Sequence, residues 1–172
     1  MPEDRRTILK VLSGVLGGGA AAAVGIPAVR AVVSPLGKVT VSGTGQFVSV
    51  AKLDSVPDDG TPINVPVVID APMDAWNRMP PTTVGAVFLR KLGGEVQALS
   101  TVCPHLGCGI DYAGDEKKFA CPCHESSFDL DGQVAAGPSP RRMDALETRI
   151  RDGQVEVKFE KFKLGTGEKV TI

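Results

Sequence analysis

The chain has four cysteines and two histidines, and all six lie between Cys103 and His124. The first group reads Cys103-Pro-His-Leu-Gly-Cys108, and the second reads Cys121-Pro-Cys-His-Glu-Ser126. Thiolates and imidazoles are the ligands that protein zinc and iron–sulfur centres use. Two such groups near each other in sequence indicate a metal centre held by two loops.

Counting ligands does not by itself identify the metal. A structural zinc site needs four ligands, usually supplied as two short Cys or His hooks. The six candidates exceed that number, with one extra thiol in each group. A zinc-binding structural module therefore remains an alternative, which a colourless protein would support.

The motif pair CPHLGC and CPCHES resembles the cluster-binding loops of Rieske [2Fe-2S] proteins from cytochrome bc complexes. In a Rieske centre two histidines replace two cysteines on one of the two irons. The resemblance implies that Cys103 and Cys121 hold one iron and that His105 and His124 hold the other. It covers roughly residues 85–160 and the layout of the N-terminus.

The same resemblance implies a disulfide between Cys108 and Cys123, which would tie the tips of the two loops together. Such a bond forms and persists outside the cytoplasm. In the chain-entropy model, closing a loop of about 16 residues contributes about 3 kcal/mol to stability.

The expected cofactor is one Rieske-type [2Fe-2S] cluster per chain, and charge counting shows why it suits quinol oxidation. Two ferric ions, two sulfides, two thiolates and two neutral imidazoles sum to zero net charge. A four-cysteine cluster carries two more negative charges, so the mixed site is easier to reduce, at about −150 to +300 mV. The added electron favours protonation of the imidazoles, and quinol gives up both an electron and a proton.

The N-terminus predicts an exported, membrane-anchored protein. Arg5 and Arg6 resemble a twin-arginine export signal in a cytoplasmic segment 1–10, and no charge interrupts Val11 to Val29. Nineteen residues of helix reach roughly 28 Å, just enough to cross a bilayer core. We expect a single retained anchor over 11–33 in a bacterial inner membrane. The N-terminus would be cytoplasmic and the domain on the periplasmic face.

The rest of the chain predicts an all-β Rieske domain over 47–172, made of small antiparallel sheets, after a flexible hinge over 34–46. The cluster-binding loops fall at about 99–141. The loop from Asp70 to Thr83 contains Trp76, for which we expect a packing role. The predicted strands are 46–51, 63–69, 86–90, 95–100, 119–120, 148–150 and 154–159.

Several residues beyond the ligands are expected to shape the site by resemblance. Gly137 and Pro138 begin a proline loop that covers the cluster, and Ser126 donates a hydrogen bond to a bridging sulfide. Leu106 shields the cluster and contacts cytochrome b. His124 presents its free ring nitrogen to the quinol, with His105 mainly an iron ligand.

Two positions depart from the family pattern. Many relatives have a tyrosine where this chain has Phe128, and the tyrosine hydroxyl donates to a ligand sulfur. Because Phe128 lacks this hydroxyl, we expect a lower reduction potential of the cluster than in relatives with the tyrosine. A lower potential suits the oxidation of menaquinol rather than ubiquinol. Glu125 replaces the usual glycine, and its carboxylate would either favour a protonated His124 or point into solvent.

The resemblance predicts the electron-transfer subunit of a quinol:cytochrome c oxidoreductase. The expected partners are a cytochrome b subunit, a c-type cytochrome acceptor, quinol and the bilayer, in a dimeric multisubunit complex. A net charge of −1 gives no support to nucleic-acid binding. The alternatives are the small subunit of an arsenite oxidase and a soluble-type Rieske carrier. The tail 161–172 shows no recognisable chemistry, and contact with a neighbouring subunit is one possibility.

Overall fold

A computed structural model of the chain describes residues 2–34, 45–70, 72–74 and 77–172. The chain divides into two compact units, 1–40 with 73–77, and 41–72 with 78–172. The hinge expected over 34–46 falls mostly outside the described residues, and so does Trp76.

The N-terminal unit contains one long helix, α1, from Pro2 to Val33. It runs through both the predicted cytoplasmic segment and the predicted anchor. Its part from Asp4 to Val33 contains an 18-residue stretch with a mean hydropathy of 1.6, and by length and composition it could cross a membrane. Its apolar side chains are exposed, as they are on Leu16 and Val24, whereas a helix on a globular protein would bury one apolar face.

The second unit is built from short antiparallel strands, as the sequence predicts. The strands are β1 Phe47–Lys52, β2 Ile63–Ile69, β3 Met73–Asp74, β4 Asn77–Arg78, β5 Thr82–Leu92, β6 Glu95–Ser100, β7 Asp111–Ala113, β8 Lys118–Cys121, β9 Ser126–Phe128, β10 Val134–Ala136, β11 Ala145–Leu146, β12 Thr148–Arg151 and β13 Gln154–Lys158. Three sheets of the second unit have the orders β1-β13-β12, β11-β6-β5-β2 and β10-β9-β8-β7. The strands β3 and β4, which fall mostly in the segment 73–77 of the first unit, pair with each other. A 3-10 turn, Leu53–Ser55, follows β1.

Two tight turns fix the strand registers. Gly93 and Gly94 join β5 to β6, and Asp152 and Gly153 join β12 to β13. All four residues have positive φ, which is what a two-residue type I′ hairpin turn requires. Both hairpins could be predicted, because the dipeptides Gly-Gly and Asp-Gly between apolar runs favour this turn.

The sheet of β2, β5, β6 and β11 has a hydrophobic core on each face. Because neighbouring residues of a strand point to opposite faces, Val87 and Leu89 enter a core shared with β13, while Phe88 enters the other. The ring of Phe88 lies 4.7 Å from the ring of Phe119 on β8. This second core joins the sheet of β7–β10 to the rest of the domain, and it contains Cys103 and Cys121.

Candidate metal centre

The first loop follows β6 and folds back on itself before β7. The amide of Cys103 donates to the Cys108 carbonyl at 2.8 Å, and the amide of Gly107 donates to the Cys103 carbonyl at 2.9 Å. Gly107 has a φ of 84°, a left-handed conformation that glycine adopts without strain. The backbone therefore presents the side chains of Cys103, His105 and Cys108 from one closed turn.

The second loop is the connection of a hairpin. Cys121 is the last residue of β8 and pairs with Ser126, the first residue of β9. Four residues, 122–125, make the turn between them, and Glu125 takes a left-handed φ of 59°. Cys121 thus points into the second core from a regular strand, whereas His124 is exposed at the tip.

Two of the four cysteines carry free thiols, and both are buried. Cys103 is 1% exposed and Cys121 is 3% exposed. Burial raises the pKa of the Cys103 thiol, and the Cys121 thiol beside it adds to the rise, while the backbone amides of His105 and Leu106 oppose it. Two adjacent buried sulfurs with amide donors aimed at one of them suit a bound metal, which binds cysteine as thiolate.

The two imidazoles meet across the loops. The ring centroids of His105 and His124 are 4.8 Å apart, and the rings stand nearly perpendicular at 83°. His105 is half-buried and His124 is exposed. Leu106 lies beside them with 61% of its surface exposed.

The other two cysteines form the disulfide that the family resemblance implies, Cys108–Cys123, with a Cα–Cα distance of 6.5 Å. The sulfurs of Cys108, Cys121 and Cys123 lie within 4.8 Å of one another, but only Cys121 in that group retains a thiol. Two thiols and two imidazoles remain available, divided equally between the loops. This donor set fits a [2Fe-2S] cluster with one cysteine-bound and one histidine-bound iron.

The proline loop packs directly on the second loop. Gly137 has a φ of 90°, and a Cβ there would lie 2.8 Å from the Glu125 carbonyl oxygen and the Ser126 nitrogen, and closer still to the Ser126 Cα. The amide of Ser139 donates to the Ser126 hydroxyl oxygen at 3.2 Å. That hydroxyl therefore keeps its own proton for a further hydrogen bond.

Phe128 lies in the core beneath the site. It is fully buried in the same cluster as Cys103 and Cys121, and it pairs with Phe119 across β8 and β9. The position that departs from the family pattern therefore faces the interior, in the same core as both free thiols. A phenyl ring there offers packing but no hydrogen-bond donor.

The sequence did not predict a role for Arg141 or Asp144, and for the tail it suggested only contact with a neighbouring subunit. Arg141 and Asp144 form a buried ion pair at 2.8 Å directly after the proline loop. The tail folds onto its own domain, with Phe162 buried and Gly165 bonded to Pro104. The only sequence signal was an Arg and an Asp three positions apart, which is common on protein surfaces.

Comparison with known proteins identifies the family. A Rieske [2Fe-2S] domain model matches residues 46–155. The menaquinol:cytochrome c reductase iron–sulfur subunit of Bacillus subtilis (strain 168) is 32% identical over 154 residues, 87% of this chain and 88% of that protein.

One further curated relative and one solved structure are also similar to this chain. The cytochrome b6-f complex iron–sulfur subunit of Trichodesmium erythraeum (strain IMS101) is 40% identical over 41% of this chain and 40% of its own length. A chain from the solved structure titled "Hyperthermophilic respiratory Complex III" shares the fold, with a TM-score of 0.50 and 22% identity over 81% of this chain and 97% of that chain. The chain therefore belongs to the Rieske [2Fe-2S] family, and its β-domain is the part that holds the cluster.

Proposed function

We propose that this chain is the iron–sulfur subunit of a membrane-bound quinol:cytochrome c oxidoreductase. The observation that carries the proposal is the exposed imidazole of His124, which contacts the His105 ring, while the free thiols of the same two loops are buried. A quinol can reach such an imidazole while the thiols stay shielded from water. The Bacillus relative, matched over 87% of this chain, bears the name of such a subunit.

Four residues are proposed as ligands. Cys103 and Cys121 would hold one iron, and His105 and His124 the other. A cluster held there would supply a one-electron acceptor on the path from quinol to a c-type haem. Burial of both thiols and of Pro104 keeps water from the cysteine side.

The histidines differ in what they do. His124 is exposed and would accept the quinol proton at the ring nitrogen that the metal leaves free. His105 is half-buried and would act mainly as a ligand. The second electron of the quinol would enter a cytochrome b subunit, for which exposed Leu106 offers an apolar contact.

Menaquinol is the proposed substrate. A hydrogen bond to a ligand sulfur stabilises the reduced cluster and raises its potential. Buried Phe128 supplies none, which supports a potential low in the Rieske range. The name of the Bacillus relative specifies menaquinol as well.

The proposed setting is a bacterial inner membrane. Arg5 and Arg6 would direct export by the twin-arginine route, which accepts folded proteins that already carry a cofactor. Helix α1 would then anchor the chain with its N-terminus in the cytoplasm and the β-domain on the outer face. Residues 34–46 would serve as a hinge between donor and acceptor positions in a dimeric complex.

The test is the electron paramagnetic resonance spectrum of partly reduced membranes, recorded with and without an inhibitor of the quinol site. A Rieske signal that shifts with the inhibitor is expected, because the inhibitor would contact His124. The isolated subunit is the control, and its signal should not respond, since it lacks cytochrome b. A Rieske signal in membranes that does not shift when the inhibitor is known to be bound would contradict the proposal. It would favour a soluble-type carrier or an arsenite oxidase subunit.

A further inference from the structure

The C-terminal tail, residues 161–172, forms a hairpin-like segment attached to the β-domain. The amide of Lys163 donates to the Val170 carbonyl at 2.8 Å, and the amide of Ile172 donates to the Lys161 carbonyl at 2.9 Å. Phe162 is 7% exposed and belongs to the main hydrophobic core. The tail is therefore held at its base by packing and closed by its own hydrogen bonds.

A buried arginine, Arg141, binds the turn of this tail. The Nη1 of Arg141 donates to the Thr166 carbonyl at 2.6 Å, and its Nη2 donates to the Lys163 carbonyl at 3.0 Å. The same guanidinium binds both carboxylate oxygens of Asp144, at 2.9 and 2.8 Å. Asp144 is in turn anchored, because its carbonyl accepts from the Ser100 amide at the end of β6.

The held turn lies directly on the first ligand loop. The amide of Gly165, between the two carbonyls that Arg141 binds, donates to the Pro104 carbonyl at 2.9 Å. Pro104 separates Cys103 from His105. The side chain of Leu164 covers Gly107 so closely that a Cβ on Gly107 would lie 2.8 Å from its Cδ1.

We propose that Arg141 is a positioning residue for the cluster, acting on the first ligand loop through the tail turn Lys163–Thr166. The guanidinium holds two carbonyls of the turn in place. The turn contacts Pro104 and Gly107 in the first ligand loop. These two residues determine the orientation of the Cys103 and His105 side chains. Lysine cannot replace it, because an ammonium lacks the planar fork that meets a carboxylate and two carbonyls at once. Arg141 would have this role whichever quinol or haem the protein uses.

Arg141→Lys in the full-length, cluster-loaded chain tests the proposal, with Arg149→Lys as the matched control. Arg149 also pairs with a carboxylate, that of Glu156, but its side chain is 45% exposed. Hydrogen-exchange mass spectrometry would compare the peptides 101–110 and 118–128. Loss of the two carbonyl bonds should speed exchange in 101–110 by about tenfold, with 118–128 nearly unchanged.

A spectroscopic readout separates positioning from a merely structural role. The g-values and the reduction potential of the cluster should shift in Arg141→Lys and stay constant in Arg149→Lys. Unchanged exchange in 101–110 with an unchanged spectrum would overturn the proposal. Equal acceleration in both peptides would overturn it too, because it would show a general loss of stability.

A second variant applies if Arg141→Lys does not fold. Leu164→Ala removes only the side chain over Gly107, and Val170→Ala is its control on the same tail, since the two side chains are 40% and 44% exposed. Faster exchange of 101–110 in Leu164→Ala alone supports the proposal. Equal exchange rates of 101–110 in the two variants would refute the proposal.

Discussion

The two ligand loops are stabilised in different ways although they supply the same kinds of ligand. The second loop is a hairpin turn on which the proline loop lies backbone against backbone, at Gly137. The first loop closes through its own amides and is covered from outside by the tail turn, at Leu164 and Gly165. Backbone packing demands a particular residue, so it leaves a motif, whereas cover by a side chain from a distant segment leaves none.

The largest effect is expected where the second loop meets the proline loop. Gly137→Ala would place a methyl group against the Ser126 backbone and would strain a φ of 90°. Backbone overlap cannot be relieved by a rotamer change, so we expect a loss of about 3 kcal/mol or more and poor cluster loading. Denaturant unfolding measures the loss of stability, and the iron content of the purified protein measures the cluster loading.

Gly153→Ala is the control for that variant. Gly153 has a φ of 73° in the β12–β13 turn, and an added Cβ there would meet nothing within 4 Å. It therefore isolates the cost of the left-handed backbone, about 1 kcal/mol. Equal losses in the two variants would show that the proline loop does not press on the second loop.

Removing the disulfide should affect both loops together. The Cys108→Ser/Cys123→Ser double variant opens a link between residues 15 positions apart. We expect the free energy of unfolding to fall by about 3 kcal/mol, since the bond limits the unfolded chain. Denaturant unfolding of the oxidised wild type and of the variant measures this fall as a difference between their midpoints. A midpoint equal to that of the wild type would mean that the remaining contacts hold the loops alone.

Phe128→Tyr tests whether a hydrogen-bond donor at this buried position raises the reduction potential of the cluster. A new hydroxyl bonded to a ligand sulfur would stabilise the reduced cluster by about 1.5 kcal/mol, which for one electron raises the potential by about 60 mV. Phe159→Tyr is the control, because Phe159 is buried in the other core. Protein-film voltammetry measures both potentials. No rise in Phe128→Tyr would show that its ring edge does not point at a sulfur.

The smallest effect is expected at the tip of the second loop. Glu125 has a left-handed φ of 59°, so Glu125→Gly should relieve strain and stabilise the domain by up to about 1 kcal/mol. Lys117→Gly relieves a similar φ of 48° in the β7–β8 turn and is the control. Thermal unfolding should show similar small gains. A loss in Glu125→Gly alone would mean that the Glu125 carboxylate makes a contact that stabilises the loop.

The motif-bearing parts of the molecule were predictable from sequence. The family resemblance implied the Cys108–Cys123 bond, alternating apolar residues predicted β2 and β6, and Gly93-Gly94 predicted a hairpin, all of which the structure contains. The matched Rieske domain also sets aside the zinc alternative.

The rest could not be predicted, for physical reasons. The strands β9 and β10 have three residues each, too few to show a period of two. The contact between Arg141 and Thr166 joins positions 25 apart. No local pattern specifies such a pair, because an exposed and a buried arginine look alike in sequence.

The central claim is that two thiolates and two imidazoles from facing loops hold one cluster. The chain has only two histidines, so uniform 15N-histidine labelling marks His105 and His124 and nothing else. Pulsed electron paramagnetic resonance of the reduced, cluster-loaded protein then counts the imidazoles bound to iron. We predict two coupled and inequivalent 15N nuclei. A spectrum with one coupled nitrogen, or none, would contradict the account.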